Sequence, residues 1–234
     1  MKKQWRVIVL LAVLAVGLCA CGSNETPAES VSAPISATEE AGNEEEASKT
    51  LVAVFSLYDN APWAKDVDVI TTATLNKTNA GVNGDTNLLA KVAMDVSNGD
   101  LYKIVADKPY PADEEKVYAQ AKQEQLDGVR PALRDEVPDM DDYSTVILIY
   151  PNWWGGLPMP VCTFLESADL KNKTLIPVCS YDADDSGTEG GVKAIKSLTD
   201  AYVTKAYNVR SGGTSTAGTR TDFRNWLTNL PVNY

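Results

Sequence analysis

Histidine is absent from the 234-residue sequence, and this absence removes several kinds of chemistry at once. A Ser-His-Asp triad cannot be built without an imidazole base, and zinc or iron sites with imidazole ligands are excluded. Positive charge is also scarce, since 21 Lys and Arg stand against 32 Asp and Glu, which gives a formal net charge of −11. A chain this acidic repels a phosphate backbone, so we expect no nucleic-acid partner.

Cysteine is scarce as well, with four in the whole chain. Cys19 and Cys21 fall near the N-terminus, which leaves Cys162 and Cys179 for the remainder. Neither of these two has the spacing of a redox motif. Two separate buried thiols are therefore the favoured prediction, and a disulfide between them is the alternative in an exported protein.

Residues 1–20 have the order of a secretory signal peptide. Three cations, Lys2, Lys3 and Arg6, precede an apolar stretch over residues 7–18. That stretch has about a dozen residues, whereas a helix needs about 20 to span the hydrocarbon core of a bilayer. We therefore expect it to be cleaved rather than retained as a membrane-spanning helix.

The end of this signal resembles the lipobox of bacterial lipoproteins. Leu18 stands three places before Cys21, Ala20 directly precedes it and Gly22 follows. The resemblance implies lipidation of Cys21, and multiple acylation makes such an anchor stable. Cys19 is a poorer candidate because the bulky Leu18 would then lie next to the cut, and ordinary cleavage with a free Cys21 is the other alternative. We predict an extracytoplasmic protein that is lipid-anchored to a bacterial membrane.

The segment over residues 21–50 is rich in Ser, Ala, Pro, Thr and Glu and has almost no large apolar side chain. Such a composition cannot bury enough surface to offset the entropy of ordering. We predict a disordered acidic tether between the anchor and a single domain over residues 51–234. An acidic tail that binds a partner is the alternative.

Short apolar runs alternate with helical patterns through this domain. Strand candidates are residues 51–55, 101–105, 146–150, 174–178 and 202–209. Three of these runs are nearly continuous, which is typical of parallel strands covered on both faces, and Pro177 indicates that the fourth strand ends near it. Helical spacing is found over residues 86–97, 114–127, 158–167, 191–202 and 221–230. The alternation predicts an α/β fold with an open parallel sheet and helices on both faces.

A rare tandem tryptophan follows the third strand, in the string Tyr150-Pro-Asn-Trp-Trp-Gly-Gly-Leu-Pro. This string resembles the Y-P-x-W-W-G-x-x-P signature of the flavodoxin-like family, and the resemblance extends over essentially all of residues 51–230. It implies a three-layer sandwich with a five-stranded parallel sheet in the order 2-1-3-4-5. It also implies FMN as a cofactor, bound at the carboxyl ends of the strands.

The resemblance implies that the tandem-tryptophan loop contacts the flavin ring. The residues that carry this prediction are Pro151, Asn152, Trp153, Trp154 and Gly155. Aromatic side chains stack on a flat apolar ring, and glycine lets the backbone approach the ring edge closely. A tryptophan pair packed in the protein core is the alternative, which explains the aromatic residues but not the flanking Pro and Gly.

In the family, a Ser after the first strand and a G-N-T triplet at the start of the first helix cradle the FMN phosphate. Here Ser56 follows the first strand, and the nearest match to the triplet is Gly84-Asp85-Thr86, followed by Asn87. We therefore predict a phosphate loop divided by an insertion over residues 57–83. A helix N-terminus and hydroxyl groups suit an anion. The insertion would form a lid over the flavin or a partner surface, and the sequence does not choose between them.

Asp85 departs from the family pattern, which has Asn at this position. A carboxylate beside a phosphate is repulsive and would weaken FMN binding. If Asp85 instead points away and caps the helix, as Asp commonly does, the phosphate is not opposed. The sequence leaves both interpretations open.

A second loop, after the fourth strand, is implied to wrap the flavin. Its ends are Ser180 with Tyr181 and Ser186 with Gly187, and three aspartates lie between them. Carboxylates near a flavin disfavour its anionic reduced forms, whereas an exposed acidic loop at the start of the next helix is the alternative. A Gly/Ser/Thr-rich stretch over residues 211–218 lacks the Lys of a nucleotide-binding loop, and we interpret it as a turn that borders the pocket.

Together with the predicted anchor, these motifs favour a membrane-attached, FMN-dependent oxidoreductase or electron carrier. The redox chemistry would belong to the flavin, so no side chain is required as a catalytic acid or base. Its partner would be a redox protein or a small-molecule electron acceptor. The alternative is a flavodoxin-like surface module that has lost the cofactor and binds a partner, because fold does not imply function.

Overall fold

A computed structural model describes residues 49–62, 75–78, 81–182 and 188–234 of the chain. The predicted signal peptide, Cys21 and nearly all of the predicted tether lie outside these residues. The first strand begins at Lys49, two residues before the predicted start of the domain. Within the described ranges, no helix is long and apolar enough to cross a membrane.

The central sheet is parallel. Its strands are β1 (Lys49–Val54), β4 (Asp100–Lys103), β5 (Tyr143–Pro151), β6 (Thr174–Tyr181), β7 (Tyr202–Val203) and β8 (Tyr207–Arg210). The order across the sheet is β4-β1-β5-β6-β7, and β8 continues the β7 edge beside the carboxyl half of β6. The predicted order 2-1-3-4-5 is confirmed, with the fifth strand in two pieces. A separate antiparallel hairpin, formed by β2 (Leu75–Thr78) and β3 (Gly81–Gly84), falls largely within the predicted insertion.

The helices agree with the sequence prediction in number and place, apart from one short addition. They are α1 (Leu57–Asn60), α2 (Asp85–Ser97), α3 (Glu114–Asp127), α4 (Met159–Ser167), α5 (Thr188–Leu198) and α6 (Ala217–Thr228). Both α5 and α6 begin and end earlier than predicted. The predicted end of α5 at residue 202 is wrong because Tyr202 pairs with Thr174 in the sheet. The start of α6 is set by Thr216, whose hydroxyl accepts a hydrogen bond from the amide of Thr219.

Helices cover both faces of the sheet because alternate strand residues face opposite layers. In β5, Val146 and Leu148 belong to one apolar cluster, whereas Ile147 and Ile149 belong to the other. The first cluster includes side chains from α3, α4 and α5, and the second includes side chains from α2 and α6. Burial on both faces explains why the central strands are continuously apolar instead of alternating.

Pro177 lies inside β6, so the prediction that this strand ends near it is wrong. The proline pairs with Leu148 of β5, and the strand continues to Tyr181. Leu175, two residues before it, accepts a hydrogen bond from Thr204 on the edge side of β6. The backbone nitrogen of Pro177, which carries no hydrogen, therefore faces that side. It lies between the residues of β6 that pair with β7 and those that pair with β8. The proline removes no ladder bond, because neither edge strand pairs with residue 177.

Asn60, at the end of α1, ties the first loop to the segment after β4. Its Nδ2 donates to the carbonyl oxygens of Ser56 at 2.8 Å and Ile104 at 3.0 Å. Its Oδ1 accepts from the amide of Ala106 at 2.8 Å, and its carbonyl oxygen accepts from the amide of Tyr110 at 2.7 Å. The side chain is fully buried, so it replaces backbone pairing where two irregular segments cross.

We expect Asn60→Ala to lower the free energy of unfolding by about 3 kcal/mol, because it leaves buried backbone groups without partners. Urea denaturation followed by circular dichroism measures this change. Asn225→Ala, at an exposed position of α6, is the matched control and should stay within about 0.5 kcal/mol of the parent. Equal stabilities of the two variants would contradict the structural role given to Asn60.

Candidate functional site

The carboxyl ends of β1, β5 and β6 lie side by side. This row of strand ends, and not an outer strand, is the edge of the sheet at which the candidate site lies. The amide of Phe55 donates to the carbonyl oxygen of Ile149 at 3.0 Å, and the amide of Asn152 donates to that of Ser180 at 2.7 Å. These bonds extend the pairing just beyond the strands. The three loops that the sequence predicts around a cofactor therefore start from neighbouring points.

The two parts of the divided loop meet at this edge. A Cβ atom added to Gly84 would lie 2.1 Å from Ser56 Oγ, so a side chain at position 84 would force a shift. Gly84 is the N-cap residue of α2 and gives the first amides of that helix no side-chain cap. Ser56 Oγ accepts from the amide of Tyr58 at 3.3 Å and caps α1. The role of Ser56 and Gly84 in phosphate binding stays a prediction.

Asn87 joins α2 to α1. Its Nδ2 donates to Asp59 Oδ2 at 2.8 Å, and Asp59 Oδ1 accepts from Lys103 Nζ at 2.9 Å. The Asn87 side chain is thus committed to a contact within the protein. Its contribution to an anion site would come from its backbone amide in the first turn of α2.

Asp85 does not cap α2, so the capping interpretation is wrong. It is the first helical residue, one position after the N-cap. Its fully buried carboxylate accepts hydrogen bonds from the hydroxyls of Ser211 and Thr214, and from the amide of Gly212 at 3.2 Å. The carboxylate is therefore directed at the turn that precedes α6.

Four buried side-chain polar atoms have no hydrogen-bond partner within the described residues: Thr50 Oγ1, Thr86 Oγ1, Tyr150 Oη and Asn152 Oδ1. Two of them belong to the loops at this edge, Thr86 Oγ1 in the first turn of α2 and Asn152 Oδ1 directly after β5. Thr86 is completely buried. Buried polar atoms normally have partners, so these two are available to hydrogen-bond a polar ligand or water at the edge.

The tandem tryptophans belong to a tight turn. Trp153 and Gly156 exchange backbone hydrogen bonds of 3.2 and 3.0 Å, and the two residues between them have positive φ, 48° at Trp154 and 78° at Gly155. Positive φ at both central positions is typical of a type I′ turn. A tryptophan in this conformation is strained, which often marks a functional segment.

Trp153 is a core residue. It is 8% exposed, and its ring contacts those of Phe55 and Tyr110 edge-on, with centroids 5.3 and 5.8 Å apart. Its carbonyl oxygen accepts from Gln125 Nε2 of α3 at 3.1 Å. The alternative of a core tryptophan therefore describes Trp153.

Trp154 is only half-buried and lies against α3. Tyr118 meets its ring edge-on with centroids 4.7 Å apart, and Lys122 Nζ lies 5.1 Å from the ring centroid. A cation over an aromatic face is an attractive contact. These contacts hold the indole at the turn while leaving part of it accessible to a flat ligand.

Helix α5 packs closely against the backbone of this turn. A Cβ atom at Gly190 would lie 1.9 Å from the carbonyl oxygen of Gly155, and one at Gly191 would lie 2.9 Å from Tyr150 Oη. The Tyr150 hydroxyl is enclosed beneath the helix, and burial raises its pKa far above the ordinary value. It stays protonated at neutral pH and belongs to the core.

The second predicted loop is described only at its start. Ser180 is fully buried and Tyr181 is half-buried at the end of β6. The carbonyl oxygen of Tyr181 accepts from the amide of Ser211 at 2.6 Å. Ser186 and Gly187 lie outside the described residues, so their predicted contact with the flavin stays a prediction.

Cys162 and Cys179 are buried free thiols, which confirms the prediction of two separate cysteines. Burial raises the pKa of Cys162 and raises that of Cys179 to about 12. Both thiols are protonated near neutral pH, and a protonated buried thiol is a poor nucleophile.

Comparison with known proteins identifies the fold. The sequence profile of the flavodoxin family matches residues 78–230. The chain belongs to the flavodoxin family. A candidate flavoprotein from Bacteroides uniformis is 23% identical with a TM-score of 0.58, over 77% of this chain and 97% of that chain. Another from Bacteroides eggerthii is 24% identical with a TM-score of 0.57, over 80% of this chain and 99% of that chain.

A more distant structure, a flavoprotein from Lactobacillus acidophilus in complex with FMN, is 17% identical with a TM-score of 0.45. It aligns over 72% of this chain and 95% of that chain. No curated protein sequence matches the chain significantly. The two Bacteroides structures support the fold of this flavodoxin-family chain, and at their identities they show the fold alone.

Sequence reasoning missed several residues that shape the site of this flavodoxin-family chain. Asn60 and Gln125 hold loops in place through contacts with distant carbonyl groups. Ser211 and Thr214 lie in the stretch that the sequence predicts to border the pocket, but their hydrogen bonds to the Asp85 carboxylate were not predicted. No periodicity marks such residues, because each acts on a group far away in the sequence.

We expect Gly190→Ala to lower the free energy of unfolding by about 2 kcal/mol, because the added methyl group collides with a backbone carbonyl and not with a movable side chain. Gly218→Ala is the matched control, since a Cβ at that helical position of α6 meets no atom within 4 Å. This control should raise stability by about 0.5–1 kcal/mol. Thermal and urea unfolding measure both, and stabilisation by Gly190→Ala would contradict the close approach of α5 to the turn.

Proposed function

We propose that this domain binds FMN and acts in electron transfer or as an oxidoreductase at a membrane surface. The observation that carries the proposal is the buried, unpartnered hydroxyl of Thr86 in the first turn of α2. Leaving a buried hydroxyl unpaired costs free energy. A phosphate group bound at this helix end would accept its hydrogen bond.

The phosphate end of FMN fits the start of α2. The first amides of the helix have no side-chain cap, and a helix N-terminus attracts anions. Gly84 lets this end approach Ser56 without a side chain between them. The Asp85 carboxylate accepts hydrogen bonds from three donors of another turn. These donors solvate its charge, which reduces its repulsion of a phosphate.

The ring end of FMN fits the turn after β5. Asn152 offers an unpartnered side-chain oxygen there, which would accept a hydrogen bond from a ring N–H. Trp154 offers part of an indole surface, and Gly155 brings a backbone segment without a side chain. These groups would bind and orient a flat heterocycle rather than act on it as an acid or base.

When bound, FMN would supply the one- and two-electron redox chemistry. The chain's own residues would hold the cofactor and limit access of water to it. Trp153 closes the inner side of the turn by filling the core between Phe55 and Tyr110. Because the described thiols are buried and protonated, they would not take part in electron transfer.

A binding module that has lost FMN is the competing proposal. Its support in the sequence is the charge of Asp85, the acidic loop over residues 180–187 and the divided phosphate loop. The hydrogen bonds that Ser211, Gly212 and Thr214 donate to the Asp85 carboxylate weaken the first of these three arguments. Flavin titration of the purified protein decides between the two. Bound flavin absorbance supports the redox function, and no binding at high micromolar FMN would leave only the module.

We expect Thr86→Val to weaken FMN binding by about tenfold, since one hydrogen bond to a charged group is lost. Stability without cofactor should not fall, because the hydroxyl has no partner to lose. Thr50→Val is a matched control: Thr50 Oγ1 is also buried and unpartnered, but it lies near the start of β1 at the opposite edge. Quenching of FMN fluorescence measures both affinities, and equal losses in the two variants would contradict the site.

We also propose that Cys21 carries the lipid that anchors the domain to a bacterial membrane, on the outer side of the cytoplasmic membrane. Support comes from the Leu18, Ala20 and Gly22 pattern around Cys21 and from the short apolar stretch before it. Electrons would then come from the membrane or from another exported protein.

We expect Cys21→Ser to abolish incorporation of a labelled fatty acid in cells and to release the processed protein or leave it unprocessed. Cys19→Ser is the control and should be labelled normally, because Cys19 lies inside the predicted signal peptide. Labelling that follows Cys19 instead of Cys21 would overturn the assignment of the anchor.

A further inference from the structure

The Asp85 carboxylate is the most completely engaged charged group at the candidate site. It is fully buried, and the hydroxyls of Ser211 and Thr214 and the amide of Gly212 donate to it. A buried carboxylate is tolerated only when hydrogen bonds replace its lost hydration. The three donors come from one turn, which we call the 211–214 turn.

The 211–214 turn is itself held from two other directions. The amide of Ser211 donates to the carbonyl oxygen of Tyr181, at the carboxyl end of β6. Arg220 Nη1 donates to the carbonyl oxygens of Thr214 at 2.8 Å and Ser215 at 2.7 Å. Gly212, with φ of 79°, lets the chain turn sharply enough to present its amide. Contacts other than those with Asp85 therefore hold the turn in place.

Asp85 and Thr86 are adjacent in the first turn of α2, and their side chains differ in their hydrogen-bond partners. The Asp85 side chain has three donors, whereas the Thr86 hydroxyl has none among the described residues. Side chains of consecutive helical residues point about 100° apart. Fixing Asp85 on the 211–214 turn therefore fixes the rotation of the helix end that carries Thr86.

We propose that Asp85 is a positioning residue for the phosphate of FMN, which clamps the first turn of α2 onto the 211–214 turn. This inference rests on the proposed function. In it, the acidic residue helps phosphate binding by orientation, because its carboxylate oxygens are hydrogen-bonded to the 211–214 turn. The 211–214 turn thereby becomes part of the cofactor site without touching the phosphate.

The test compares FMN with riboflavin, which has the same ring and lacks the phosphate. Asp85→Ala removes the clamp from the helix side, and a Ser211→Ala, Thr214→Val double variant removes it from the turn side. Ser215→Ala is the control, since its half-buried hydroxyl donates to the Gly212 carbonyl oxygen and, within the part of the chain that the structure describes, has no bond to Asp85. Affinities for the purified full-length protein in detergent are measured by flavin fluorescence, and folding is checked by circular dichroism.

We expect both clamp variants to lose about tenfold to a hundredfold in FMN affinity, as for the loss of hydrogen bonds to a charged group. Their riboflavin affinity should stay within about twofold of the parent, and Ser215→Ala should change neither value. Combining Asp85→Ala with the double variant should add little further loss, because the same contact is removed twice. Should Asp85→Ala fail to fold, Ser211→Ala alone carries the comparison.

Three results would overturn the clamp. Tighter FMN binding by Asp85→Asn would mean that the carboxylate repels the phosphate. Equal losses for FMN and riboflavin would mean general damage to the fold, and unchanged FMN binding in both clamp variants would mean that the helix end needs no clamp. If the parent protein binds neither flavin, the proposed function fails and the clamp fails with it, which is distinct from failure of the clamp in a parent that binds FMN.

Discussion

The pairing of β1 with β5 is the contact on which the rest of this domain depends. The strands run parallel with Leu51 opposite Val146 and Val54 opposite Ile149, and both are buried on their two faces. Parallel pairing brings their carboxyl ends to the same edge, where the chain must leave the sheet. The predicted phosphate loop and the tandem-tryptophan turn are neighbours for this reason, although they are far apart in the sequence.

Close backbone approaches then convert this edge into a defined site. Gly84 stands against Ser56, and Gly190 stands against the carbonyl oxygen of Gly155. Each contact leaves no room for a side chain, so the spacing between segments is set by the backbone itself. Strain at Trp154, in a positive-φ conformation, is balanced by contacts with Tyr118 and Lys122. A ring-binding surface held in this way would need little rearrangement when a ligand arrives.

Carboxylates are present at this edge, and their oxygens are hydrogen-bonded or ion-paired within the protein. The chain is strongly acidic overall, with a net charge of −11, yet the carboxylate nearest the start of α2 is surrounded by donors. The Asp85 carboxylate accepts hydrogen bonds from the 211–214 turn. The Asp59 carboxylate accepts hydrogen bonds from Asn87 and Lys103. Among the described residues, the Thr86 hydroxyl has no hydrogen-bond partner and the first amides of α2 have no side-chain cap, and such groups suit an anion.

Local sequence patterns predicted the strands, the helices and a parallel sheet covered on both faces, because burial on both faces requires continuous apolar runs. The order of the strands in the sheet came instead from the resemblance to the flavodoxin-like family. Local patterns also located the tandem-tryptophan loop, whose composition is rare. They could not predict that β6 continues past Pro177, since a proline is accommodated there only because neither β7 nor β8 pairs with residue 177. Nor could they separate Trp153 from Trp154, or decide where Asp85 points. Those outcomes depend on which distant donors, rings and backbone atoms the fold brings into contact, and only the tertiary structure decided them.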